Sequence, residues 1–86
     1  MAARKKKARA KSPWTGASRL RKEREDRGWS LEKLSAEIYR RTWTGKAGVL
    51  VSRVSLNDYE HGGEPSATAF LGICKALDID PWEFLP

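Results

Sequence analysis

Between residues 51 and 62 the chain reads VSRVSLNDYEHG, a run rich in side chains that can recognise the edges of another molecule. Arg53, Asn57 and His61 recur at steps of four, so on a helix they share a face, with Val54 and Asp58 in the row beside them. The Arg53 guanidinium can donate two parallel hydrogen bonds to a guanine edge, and the Asn57 amide can donate and accept at adenine. Asp58 only accepts, which suits a cytosine amino group, and Val54 offers an apolar surface to a thymine methyl. The same row also fits an ordinary solvated helix face, since mixed polar faces are common.

Other chemistries find little support. One histidine and one cysteine supply no metal-ligand cluster. No glycine-rich phosphate loop follows a strand, and no nucleophile stands beside a base. His61, near a helix end, reads as a partner for the helix dipole, and Cys74 as a small core residue. The expectation is a protein that is not an enzyme and has no metal, no cofactor and no small-molecule ligand.

A helix must position the row. Ser52 suits its N-cap, with Val51 before the cap and Leu56 at the fourth helical position forming a hydrophobic staple. Leu56 and Tyr59 face the core, and Gly62 and Gly63 stop the helix. So short a helix does not hold alone and must be pinned by neighbours. Upstream, Thr15 or Ser18 can cap a first helix running to about Arg27, stopped by Gly28 and thin in apolar residues, with Trp29 adding core volume. Ser30 caps a second helix with Leu31, Leu34, Ser35 and Ile38 on one side. Its end is open: residues 39–43 can extend it, and TGKAG (44–48) reads as a loop. The segment VLVSRV (49–54) is β-branched but alternates poorly, so a strand there is disfavoured. Ser66 caps a helix with Phe70, Leu71, Ile73, Cys74 and Leu77. DPWE then predicts a fifth helix, with Asp80 as cap, Pro81 first and Glu83 reaching back. The fold class is all-α, five helices, in one small domain over 14–86.

Charge is unevenly placed. Of the 17 Lys and Arg, six (Arg4, Lys5, Lys6, Lys7, Arg9 and Lys11) fall in the first twelve residues, which hold no acid. That stretch has too little apolar surface to offset ordering, so residues 1–13 are expected to form a disordered basic arm. The rest is balanced, but residues 13–53 are net basic and residues 54–86 carry Lys75 as their one basic residue against six acidic ones. This polarity favours a polyanion on one side only. No apolar run approaches membrane-spanning length, and no hydrophobic segment follows the basic start as in a secretory signal. A lone cysteine suits a reducing compartment, and the expected location is the bacterial cytoplasm or nucleoid.

LRKEREDRGWSLEKLSAEI, then VSRVSLNDYEHG, then EPSATAFLGICKALDIDPWEFL together resemble the Cro and lambda-repressor (XRE-type) helix-turn-helix family. The likeness covers residues 17–85 and rests on the order of its elements: a basic helix ending in Gly, a Ser-started helix, Ser-x-x-Ser-aliphatic through Glu-x-Gly, Pro-Ser, a Leu-rich helix and a short last helix. It implies that the helix at about 52–61 enters a DNA major groove, with Ser52, Arg53, Val54 and Asp58 reading bases; Asn57, on the same outward face, joins them as a base reader, and Ser55 is expected on the DNA backbone. It also implies an ion pair between Arg24 and Glu60. Five positions depart from the family pattern. Leu31 replaces a phosphate-binding Gln, Glu23 a core Leu, and Asp78 a Gly; Glu64 stands where the turn is often basic; and about eleven residues are inserted between the second and third helices.

Within the insertion, Arg40, Arg41 and Lys46 can meet phosphates and make up for Leu31, or can be a solvated helix end on which Trp43 packs. The basic arm resembles those that wrap the duplex in some lambda-type repressors, against the alternatives of a nuclear-localisation-like signal or a solubility tail. These readings lead to an expected transcription regulator, most like a small phage or prophage repressor, that binds double-stranded DNA at a palindromic operator. A weak homodimer through Trp82, Phe84 and Leu85 is expected, against the alternative that all three close the core. The runner-up function is a protein-partner adaptor, like a bridging-factor coactivator or an antitoxin, using the same fold.

Overall fold

The computed structural model describes residues 14–84. They form four α-helices, α1 (Ala17–Asp26), α2 (Leu31–Thr42), α3 (Arg53–Glu60) and α4 (Ala67–Leu77), followed by a 3-10 turn, Pro81–Phe84. No strand occurs among the described residues; 49–52 is a loop running into α3, whose first two residues are Arg53 and Val54. Arg4, Lys5, Lys6, Lys7, Arg9, Lys11 and Leu85 lie outside the described residues.

Three helices begin at the serines expected to cap them. Ser30, Ser52 and Ser66 are extended at φ,ψ, and each accepts a hydrogen bond from the backbone N–H three residues on, at 3.0, 3.0 and 3.1 Å. The apolar spacing of α2 and α4 then brings Leu34 and Ile38 against Ile73, Cys74 and Leu77, all buried. A Cβ on Gly72 would come within 3.1 Å of both Ile38 and Val49 side chains, so the glycine lets α4 lie close to α2 and the loop. Burial pushes the Cys74 thiol up to about 11, with Asp80 adding to the effect, so it stays protonated at neutral pH.

The expected fifth helix is a 3-10 turn. Four residues are too few for an i→i+4 ladder, and Asp80 supplies both its carbonyl to Glu83 N–H (2.9 Å) and its carboxylate to Trp82 N–H (3.0 Å). Glu83 does not reach back to the cap; its carboxylate and carbonyl both accept from Arg19 at 3.3 Å. The start of α1 also differs. Its N-cap is Gly16, with no side-chain cap, rather than Thr15 or Ser18. A Cβ on Gly16 would lie 2.6–2.8 Å from the Trp14 and Phe84 rings, so no capping side chain fits there.

α1 buries only Leu20 and is fastened by polar contacts instead. Glu23 sits half-buried between Arg19 and Arg27, accepting from each at 2.8 Å, and these cations hold its carboxyl below the usual range. Arg27 also donates to Leu77 O at 2.7 Å, tying α1 to the end of α4. There Asp78 takes the left-handed conformation (φ 56, ψ 47), which Asp tolerates better than most residues. Among the described residues no helix is long and apolar enough to cross a membrane, and no group of three His, Cys, Asp or Glu could hold a metal.

Candidate nucleic-acid interface

α3 has two unlike faces. Val51, Leu56 and Glu60 are buried, while Ser52, Arg53, Val54, Asn57 and Asp58 are exposed, Val54 to 69%. Exposing a valine on an eight-residue helix forgoes burial that could have helped hold it. The helix is held at three points. At its start, Ser35 Oγ donates to Val51 O at 2.6 Å, joining it to α2. In its middle, Leu56 is fully buried. At its end, Arg24 of α1 makes a bidentate bond to Glu60, Nε–Oε2 at 2.6 Å and Nη2–Oε1 at 3.0 Å. The Glu60 side chain is only 2% exposed, and Arg24 also donates to Trp29 O at 2.8 Å, so the buried charges are well satisfied.

The individual side chains of the row differ in freedom. Arg53 and Asn57 make no side-chain hydrogen bond or ion pair among the described residues, and both point into open surroundings. Ser52 and Ser55 share a hydroxyl contact at 3.1 Å at the mouth of a cleft of about 530 Å³ between the starts of α3 and α4, whose lining also includes Ser66 and Thr68. Asp58 folds back against Gly63, so closely that a Cβ there would overlap its carboxylate. His61 caps the helix end, its Nδ1 2.7 Å from Asn57 O.

Arg40 and Arg41, expected on phosphates, are engaged within the protein. Both donate to the buried Glu37, Arg40 at 2.7 and 3.3 Å and Arg41 at 2.8 Å, and Lys33 Nζ lies 3.2 Å away. Hydrogen bonds from Arg40, then Arg41 and Lys33, hold the Glu37 carboxyl down to about 2. Three cations on one carboxylate leave the cluster net positive, with the Arg40 side chain still 65% exposed. Arg41 and Arg27 also stand over the Trp29 ring, each 5.8 Å from its centroid.

The inserted segment is a latched loop. Thr42 Oγ1 donates to Ile38 O and accepts from Val49 N–H, both at 2.7 Å, and Thr44 N–H closes on Ala47 O around Gly45 (φ 96). Gly48 passes so near Tyr39 that a Cβ would sit 2.8 Å from its carbonyl oxygen. Trp43 packs on Tyr39 at 5.6 Å yet stays 49% exposed, and Lys46 is exposed at the loop tip.

Of the expected self-association residues, Phe84 belongs to the core. It is 4% exposed and packs on Trp14 and Phe70 at 6.0 and 5.5 Å. Trp82, at 75%, points outward. Trp14 is a functional residue that neither capping nor periodicity signals point to. It donates its indole N–H to Tyr59 O at 3.0 Å, which fixes where the chain enters the described structure: at the C-terminal end of α3. An aromatic residue between the basic stretch and the first capping signals was the clue available. Comparisons with protein-family models, with curated proteins and with solved structures give no match.

Proposed function

We propose that the chain is a sequence-specific double-stranded-DNA-binding regulator of the Cro and lambda-repressor type, with α3 as the helix that enters the major groove. The observation that carries this reading is the outer row of α3: donors, an acceptor and an apolar residue exposed on a helix whose other face is rigidly tied to α1 and α2. Rigid support is what base readout needs, because a bidentate bond tolerates little misplacement. Arg53 and Asn57 read purines, Val54 a thymine methyl and Asp58 a cytosine amino group, with Ser52 beside them at the bases and Ser55 on the adjacent backbone.

Sequence-independent affinity comes from cations. The Lys33–Glu37–Arg40–Arg41 cluster offers a phosphate a net positive, pre-ordered surface on α2, and Lys46, exposed in the loop that follows, is a further phosphate partner in this reading. The basic residues 4–11, which precede Trp14 in the sequence, add phosphate contacts in this reading.

Titrating the ¹⁵N-labelled chain with duplex DNA tests this directly. The largest amide shifts are expected at residues 52–58, followed by 40–46. Shifts confined to α4 and the 3-10 turn, or none, would reject it in favour of the protein-partner adaptor.

A further inference from the structure

The exposed ridge of α4 separates two unlike features. On one side Trp43, Thr44, Val49 and Arg41 form a groove of about 540 Å³ with Leu71 and Lys75 of α4. On the other side the same Leu71 and Lys75 border a shallower cleft that runs to Asp80 and Pro81, next to Trp82. Leu71, Trp43 and Trp82 are 56%, 49% and 75% exposed, more apolar surface than so small a domain needs to leave open. Charge divides the same way. The groove is lined by two cations and no carboxylate, and Lys75 has no ion pair among the described residues. Beside Trp82 stands the Asp80 carboxylate, which accepts from the Trp82 N–H at 3.0 Å, while Glu83 is held by Arg19.

We propose that the groove takes the Trp82 turn of a second copy of this chain. A two-fold axis along the α4 ridge carries the Trp82 of each copy across to the other's groove. The indole fills the apolar floor against Trp43, Val49 and Leu71, while Asp80 approaches Lys75; Arg41 and Glu83 keep their bonds to Glu37 and Arg19. The contact is isologous, made twice per dimer, and closes on itself. It uses the inserted loop as a receptor wall: Gly48, by its close approach to Tyr39, and Thr42, by its bond to Val49, hold that wall in place. It needs no DNA and does not depend on the DNA-binding reading. If that reading holds as well, it supplies the two-fold symmetry of the target.

Sedimentation and native mass spectrometry of the full chain at low salt, without DNA, test it. The wild type is expected to form a concentration-dependent dimer that weakens as salt rises. Trp82→Ala, removing an exposed side chain, and Lys75→Glu, reversing the groove's charge, are each expected to weaken association by roughly tenfold or more with unchanged helical circular dichroism. A one-to-one mixture of the two variants is expected to form mixed dimers, because the Lys75→Glu copy still offers a Trp82 and the Trp82→Ala copy still offers an intact groove. A monomeric wild type overturns the proposal. So does a dimer indifferent to Trp82→Ala, or a mixture no more associated than either variant alone; a groove that binds only acidic peptides or duplex DNA would show itself as a monomeric wild type.

Discussion

At the scale of single residues, the row on α3 divides by how each side chain is held. Arg53 is exposed and makes no side-chain bond among the described residues, so Arg53→Ala should leave the melting temperature nearly unchanged while costing about 1–3 kcal/mol of binding, concentrated at one base pair. Affinities measured on a panel of single-base substitutions check this. Asp58 is held back by the room over Gly63. Gly63→Ala should displace the carboxylate and change preference at one position only, which the same panel reads. Glu60 behaves oppositely: it reads nothing and anchors everything. Glu60→Ala strands the largely buried Arg24 and should destabilise the fold by about 3 kcal/mol in denaturant melts. The capping serines and the two-faced pattern of α3 were legible because each depends on neighbours within a few positions. The backward fold of Asp58 was not, since it depends on the path of the Gly62–Gly63 turn in space.

At the scale of elements, the α2 end and its loop are where the sequence misleads. Arg40 and Arg41 look free because acids are absent between Glu37 and Asp58. On a helix, however, Glu37 is one turn behind both and one turn ahead of Lys33, and it gathers all three. Its folded pKa is depressed from 4.5 to about 2. The stability it contributes is therefore complete above about 4.5 and is lost as pH falls towards 2. Glu37→Gln should flatten that part of the stability–pH curve, followed by thermal melts between the two values. The same variant raises the cluster's net charge and should tighten sequence-independent DNA binding. The final helix failed for a related reason: DPWE carries the signals of a helix start, but Phe84 is drawn into the core beside Trp14 within one turn, leaving room only for a 3-10 turn. The absence of a side-chain cap on α1 has the same origin, Gly16 lying under those rings.

At the scale of the whole molecule, charge polarity and the point of chain entry matter most. The all-helical class, four of the elements and the core of α2 and α4 could be read from periodicity, because burial of a single helix face dictates spacing. The arginine fastening of α1 could not, because it reaches partners on other elements, up to 64 residues away in the case of Arg19 and Glu83. Deleting residues 2–11 should weaken binding to all duplexes alike and flatten the log–log salt dependence by roughly 0.9 per lost phosphate contact, measured by fluorescence anisotropy across a salt series. The most direct test of the central claim, that α3 reads bases, is selection from a random duplex library at near-physiological salt, run in parallel on the wild type and Arg53→Ala. An enriched, two-fold-symmetric motif is expected for the wild type, with loss of information at one position per half-site for the variant. Binding without enrichment, or the same motif from both proteins, would contradict that claim.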